Sequence, residues 1–249
     1  FSPDSTVHDY NVKRANNSLF TYYGDSKSVR RGYYLNNSTE GLSTSGTFHG
    51  ITVGGGSSTF SPGTGNFTIE CWVNPDRLNT DEYQTLLSSV NYYTSGTNGS
   101  WNLYLVGSKV EFYVADGTSL QGYMSFTSTG LVTGQWQHIA LVRDGAASYK
   151  LYVDGVLKGT DTTAGLTVSQ APQEIGRNAP SSTYYAYYKG YIADIRLSEN
   201  ARYSGAFTEL VTTKDSNHKF LALGGTSDES DCGHTFTFQN DAHPTAKFG

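Results

Sequence analysis

Along residues 67–73 the order Phe-Thr-Ile-Glu-Cys-Trp-Val alternates. A period of two places Phe67, Ile69, Cys71 and Val73 on one face of a strand and Glu70 and Trp72 on the other, so both faces are at least partly covered. Residues 101–106 (Trp-Asn-Leu-Tyr-Leu-Val) and 109–114 (Lys-Val-Glu-Phe-Tyr-Val) flank Gly107-Ser108. Glycine tolerates the positive φ that opens a type II′ turn, which predicts that these two segments pair directly. A second meander runs from Gln135 to Arg143, turns at Asp144-Gly145 into Tyr149–Val153, and turns again at Asp154-Gly155 into Val156-Leu157. Asp-Gly at both corners predicts three successive antiparallel strands. The apolar spacing of Lys189–Leu197 fits a strand better if Ala193-Asp194 form a bulge. Ser198 is then placed to cap one short turn of helix through Ala201. Long helical patterns are absent, and the chain reads as all-β, an antiparallel two-sheet β-sandwich.

Near the end, His234-Thr-Phe-Thr-Phe repeats the pattern of His8-Asp-Tyr-Asn-Val near the start, and Lys247-Phe-Gly249 looks like entry into a further strand. These features predict a main domain over 1–226, with its core at about 33–223. The extension 227–249 is then a closing strand or the start of another repeat. Phe220-Leu-Ala-Leu223 is expected to fill an edge-strand position, in its own sandwich or in an adjacent subunit by strand exchange. Phe1-Ser-Pro-Asp4 resembles neither an initiator end nor a signal peptide, so the start is read as processed or cut from something longer.

Composition narrows the function classes. The chain has 249 residues, 14% aromatic and 37% hydrophobic, enough for one good-sized core. Gly 28, Tyr 19 and 16% charge suit short strands joined by turns. A net charge of -5 and a pI near 5.6, without any Lys/Arg cluster, argue against a nucleic-acid partner. No apolar run approaches a membrane span, so membrane insertion is not expected. The two cysteines, Cys71 and Cys232, are too few for a disulfide scaffold, and Cys71 is read as a buried free thiol.

Catalytic patterns are missing. A retaining glycosidase needs two carboxyl groups about 5–5.5 Å apart, which one strand presents at alternate positions. Glu70 and Glu111 each stand alone in their strands, and Glu229 and Asp231 sit in a Ser/Gly-rich stretch that reads as a solvated loop. There is no Gly-x-Ser-x-Gly elbow. His234 follows Cys232 at a spacing of two, with no second pair to complete a zinc site. Gly54-Gly-Gly56 lacks the lysine and helix of a phosphate cradle. Trp72 and Trp136 are expected to pack in the core or on a sheet face. His138, on the face of Trp136, Ala140 and Val142, is read as a hydrogen-bonded structural histidine.

Three segments in order resemble the laminin G-like family of the concanavalin A-like lectin/glucanase superfamily. They are Phe67-Thr-Ile-Glu-Cys-Trp-Val-Asn-Pro75; Gln135–Gly145 with Tyr149–Gly155; and Ile175-Gly-Arg177 leading to Gly190–Leu197. The resemblance covers about Tyr33 to Leu223 and implies a concanavalin A-like jelly roll. Ala201-Arg-Tyr203 followed by Ala206-Phe-Thr208 looks like versions found on phage tail and other virion proteins. The resemblance also implies that some members hold calcium near the sandwich rim. The oxygen ligands available here, Asp4, Asp76, Asp116 and Asp194, match no contiguous loop, so calcium stays unassigned and no other cofactor is expected.

Sugar sites combine aromatic rings with polar groups on loops of a rigid scaffold. Two stretches qualify, Asn91–Trp101 and Ser181–Tyr188, giving Tyr92, Tyr93, Trp101, Tyr184, Tyr185, Tyr187 and Tyr188 as candidate carbohydrate contacts. The same tyrosines suit contact with a neighbouring subunit. The expected function is therefore a non-catalytic structural or adhesive module at a virion surface or outside the cell. Its expected partners are host-surface glycan or neighbouring subunits, in a homo-oligomer or larger assembly. A lectin-like domain of a secreted bacterial protein is the alternative, and a glycoside hydrolase the third.

Overall fold

The structure, a computed structural model, describes residues 12–15, 19–22, 28–37, 49–55, 60–80, 82–89, 99–116, 119–163, 165–170, 172–178, 186–208, 215–230 and 232–248. The strands are β1 (Val12–Ala15), β2 (Leu19–Tyr22), β3 (Ser28–Asn36), β4 (Gly50–Gly54), β5 (Phe67–Pro75), β6 (Tyr83–Ser88), β7 (Ser100–Val106), β8 (Lys109–Ala115) and β9 (Leu120–Phe126). They continue as β10 (Gln137–Arg143), β11 (Tyr149–Val153), β12 (Val156–Asp161), β13 (Glu174–Ile175), β14 (Lys189–Ser198), β15 (His218–Ala222), β16 (Thr235–Gln239) and β17 (His243–Phe248). A ten-stranded sheet runs β1-β2-β3-β14-β5-β10-β11-β12, with β15 beside β14 and β17 beside β3. A seven-stranded sheet runs β16-β4-β13-β6-β7-β8-β9. All pairings of these strands are antiparallel, as the all-β sandwich reading requires.

Period-two alternation sends Phe67, Ile69, Cys71 and Val73 of β5 into one core with Trp101, Leu103 and Leu105 of β7 and Val110, Phe112 and Val114 of β8. Burying each such aliphatic or aromatic side chain contributes about 1.5–3 kcal/mol, so the two inner faces hold the sheets together. Gly107 takes φ 58° and Val106 pairs with Lys109, as the two-residue hairpin requires. Asp154 (φ 50°) and Gly155 (φ 74°) both enter the left-handed region between β11 and β12. Asp144-Gly145 opens a longer connection, closed by a hydrogen bond from the Asp144 amide to the Ser148 carbonyl (2.8 Å). In β14 the core residues Ile192 and Ile195 are three apart, and the register shifts between Ala193 and Arg196, with Asp194 at φ 48°. This is the expected bulge.

Arg143 points inward at the end of β10, where alternation places it with Ile139 and Leu141. It is fully buried, donates to the carbonyls of Gly63 (2.7 Å), Gly65 (2.6 Å) and Leu166 (2.9 Å), and lies over the Phe67 ring.

One expectation changes. Ser198 starts no helical turn: it stays in β14, opposite Thr68 and His218, and the Glu199 amide bonds to the Asn217 carbonyl (3.1 Å). Phe220 lies in β15, opposite Leu197 at an edge of the larger sheet, which is the first of the two placements expected for 220–223. At the C-terminal end, β16 pairs with β4 and β17 with β3, one in each sheet. The earlier member of the internal echo, His8–Asn11, lies outside the described residues.

Candidate functional site

The outer face of the seven-stranded sheet gathers tyrosines. Register places Thr85 of β6 opposite Tyr104 of β7, Tyr104 opposite Glu111 of β8, and Tyr113 of β8 opposite Tyr123 of β9. Tyr83 and Tyr113 also face outward, being even steps along β6 and β8 from Thr85 and Glu111. Ring centroids are 5.6 Å apart for Tyr83–Tyr104, 5.4 Å for Tyr104–Tyr113 and 4.8 Å for Tyr113–Tyr123. Aromatic pairs at such spacings contribute about 0.5–1.5 kcal/mol each beyond area burial, so the platform is self-supporting. Tyr104 and Tyr113 form its floor, while Tyr83 and Tyr123 are 40% and 43% exposed and form its rim.

Glu111 is nearly buried within this ring cluster. Its carboxylate accepts from Tyr123 Oη (2.9 Å), Ser125 Oγ (3.1 Å) and Tyr113 Oη (3.3 Å). The Tyr113 and Tyr83 hydroxyls share a 3.3 Å hydrogen bond. Burial pushes the Tyr113 phenol well above its ordinary range, with Tyr83 and Glu111 adding to the effect, so it remains a donor. Beneath the platform, Asn102 and Thr85 are fully buried, and neither the Asn102 amide atoms nor Thr85 Oγ1 has a hydrogen-bond partner. Further along the same face, Arg177 grips Glu174 through two contacts (2.6 and 2.7 Å) and reaches Thr52. Among the described residues the face therefore offers aromatic surface and phenolic hydroxyls.

The residues singled out from sequence fall differently. Trp101 belongs to the core, fully buried, its indole N–H donating to the Gln170 carbonyl (2.7 Å). Tyr188 is also a core residue, and its hydroxyl donates to the Tyr191 carbonyl (3.0 Å). Both pack and present no surface to a ligand, which corrects the expectation of carbohydrate contact. Tyr187 is buried at an isolated bridge with Arg177. Tyr92, Tyr93, Tyr184 and Tyr185 lie outside the described residues. The tyrosines of the platform were missed, although the 101–106/109–114 hairpin already sets Tyr104 opposite Glu111.

The other sheet hides a polar cluster beneath residues 199–208. Glu70 is buried, lies 3.3 Å from His138 Nε2, accepts from Tyr203 Oη (2.7 Å) and pairs with Arg202. Arg196 Nε approaches it at 3.7 Å, and Arg196 also pairs with Asp215. His138 is thus the structural histidine expected, and Glu70 is its partner. Trp72 packs beside His138, almost entirely covered.

The carboxylates named for calcium are dispersed. Asp76 is exposed beside Tyr34, Asp116 is engaged by Ser119 and Gln121, and Asp194 is buried in the bulge. Asp4 lies outside the described residues, and among those described no three His, Cys, Asp or Glu side chains gather as a metal set.

With the fold and face in view, likeness to known proteins can be placed. No curated protein sequence matches the chain. A Bacteroides ovatus protein, described as a carbohydrate-binding candidate, superposes with TM-score 0.58 at 17% identity, covering 87% of this chain and 59% of that one. The chain thus spans less than two thirds of that protein's length. A heptameric SAP-like pentraxin from Limulus polyphemus superposes with TM-score 0.53 at 16% identity, covering 85% and 95%. At these identities the likeness is one of fold. Residues 45–206 match the family model of the concanavalin A-like lectin/glucanases superfamily. The chain, with its two antiparallel sheets and lectin-like sandwich, belongs to that superfamily.

Proposed function

We propose that the protein is a non-catalytic saccharide-binding module whose ligand stacks on the outer face of the seven-stranded sheet. One observation carries the reading. Tyr83 and Tyr123 expose aromatic faces on either side of Tyr104 and Tyr113, and Tyr123 donates to a carboxylate, Glu111. Sugar rings present apolar C–H faces to aromatic rings and hydroxyls to phenolic oxygens, which is the chemistry the exposed rim tyrosines offer. The carbohydrate-binding description of the Bacteroides ovatus protein agrees with this reading. Glu111 is occupied by three hydroxyl donors and Glu174 by Arg177, so both orient their neighbours. Tyr92, Tyr93, Tyr184 and Tyr185 are assigned to the same role from their composition alone.

A glycan array on the full chain tests the proposal. Selective retention of saccharides, with no new reducing ends after prolonged incubation, supports it. Uniform absence of binding, or cleavage of the bound glycan, contradicts it.

A second reading places the module on a phage virion, outside the cell, contacting host glycan or neighbouring subunits. Its support is the likeness of Ala201–Tyr203 and Ala206–Thr208 to virion proteins. Light scattering on the native protein checks it: a symmetric oligomer or large particle agrees with a virion component, and a clean monomer favours a lectin domain of a secreted bacterial protein.

A further inference from the structure

On the opposite side of the sandwich a second aromatic row crosses the ten-stranded sheet. His243 of β17 lies opposite Tyr34 of β3, Tyr34 opposite Tyr191 of β14, and Tyr191 opposite Asn74 of β5. Gln137 of β10 pairs with Val73, so Trp136 continues the row beyond Asn74. Four inter-strand steps make it about 19 Å long. Centroids are 4.6 Å apart for Tyr34–Tyr191, 6.1 Å for Tyr34–His243 and 6.2 Å for Trp136–Tyr191. Tyr34, Tyr191 and Trp136 are half-buried, while His243 and Asp76 are exposed. Tyr34 Oη lies 3.5 Å from Asp76 Oδ2 and 3.4 Å from Asn36 Oδ1.

A polar group marks the centre of the row. Asn74 is fully buried between the positions of Tyr191 and Trp136, and neither of its amide atoms has a hydrogen-bond partner. The backbones close up here: a Cβ on Gly190 would lie 2.4 Å from the Asn74 carbonyl oxygen, and Gly190 sits at φ 138°. Leaving a buried amide unsatisfied costs free energy that a ligand hydroxyl recovers.

We propose that this row is a second saccharide-binding surface, taking an oligosaccharide that stacks on Tyr34, Tyr191 and Trp136. Asp76 and Asn74 bond its hydroxyls. The inference rests on the glycan-binding reading above for its ligand class, but it uses none of the same residues. With sites on opposite faces, one chain bridges two glycans, and its apparent affinity for a multivalent glycan exceeds that of either face.

Tryptophan fluorescence separates the faces. Trp101 is buried in the core and Trp72 nearly so, which leaves Trp136 as the tryptophan of the row that a quencher reaches. Acrylamide quenching and calorimetry would be run on the full chain with cellohexaose, xylohexaose, mannohexaose, maltohexaose and chitohexaose. The proposal expects at least one sugar to protect Trp136 and to bind at two per chain. In the Tyr83→Ala/Tyr123→Ala variant, protection persists and stoichiometry falls to one. In Tyr191→Ala, protection drops by about tenfold in affinity or more, with far-UV circular dichroism and melting confirming the fold. Stoichiometry of one, abolished in Tyr83→Ala/Tyr123→Ala and leaving Trp136 quenching unchanged, overturns the second surface alone. No binding of any of the five sugars overturns both readings. Protection of Trp136 that rises with protein concentration in the absence of sugar overturns the proposal in favour of a second copy of the chain on this face.

Discussion

Arg143 occupies an inward position on β10, and its charge is tolerable there because three loop carbonyls take its donors and the Phe67 ring takes its face. Arg143→Ala would strand those carbonyls and release two loops, at a cost of roughly 3–5 kcal/mol in chemical denaturation. Cys71 illustrates burial acting on chemistry: desolvation pushes its thiol up to about 12, and it is fully enclosed. A thiol reagent at pH 8 should therefore modify Cys232, which is partly exposed, and reach Cys71 only on unfolding. Rapid labelling of both in the native state would contradict the packing described. The buried thiol was legible from the alternation of Phe67, Ile69, Cys71 and Val73. Trp101 was not read correctly because it was grouped with the preceding loop. The same period of two, applied through Leu103 and Leu105, turns it inward.

The segment 199–208 works as a strap over the larger sheet. The Arg202 amide and the Asn200 carbonyl both bond Thr68 Oγ1, Arg202 and Tyr203 hold Glu70, and Tyr203 stacks on Phe207 at 3.6 Å. Its far end is fixed by the Phe207 amide on the Gly155 carbonyl (3.0 Å). A Cβ on Gly155 would lie 1.7 Å from the Phe207 carbonyl oxygen, at a residue already at φ 74°. Gly155→Ala should undock the strap and cost about 2 kcal/mol or more, read as a lower melting temperature with faster amide exchange over 199–208. Acid should act on the same region. Desolvation works to raise the Asp215 carboxyl, but the Asn217 amide and the Arg196 guanidinium outweigh it, so its folded pKa is lowered. Its contribution is present above the ordinary aspartate value of about 3.9 and is lost as pH falls through the lower folded value. Asp215→Asn should flatten that part of the acid-unfolding curve; an unchanged curve would exclude this role.

Strands and hairpins were legible at this scale because Asp-Gly, Gly-Ser and period-two patterns are local signals. The helical turn expected after Ser198 was not, since tertiary partners took its capping groups. The Glu199 amide goes to Asn217, and Glu199 Oε1 instead accepts from the Ser61 amide (2.6 Å). The strap motif itself was visible as a family likeness, but its purpose depends on Glu70 and Thr68, more than 130 residues away in the chain.

In the whole molecule, two packed sheets leave two outer faces, and each carries tyrosines, a carboxylate and a buried amide without a partner. Neither assembly was apparent as a sequence motif: the row on the larger sheet draws on strands that are neighbours in the sheet and distant in the chain, and the platform on β6 to β9 follows chain order but needs the register of three successive pairings. Only the Tyr104–Glu111 pair, inside one hairpin, was within reach of local reading. The tyrosines at the rim of the smaller sheet support no core, but each pairs with a neighbouring ring and Tyr123 also donates to the buried Glu111, so removal of either should cost about 1–2 kcal/mol. The most direct measurement is calorimetric titration of the best-retained glycan into the full chain and into the Tyr83→Ala/Tyr123→Ala variant, with Tyr191→Ala in both to weaken the opposite face. The proposed site predicts that the affinity falls by about tenfold or more while far-UV circular dichroism shows the fold retained. Equal affinity in the two proteins would contradict it.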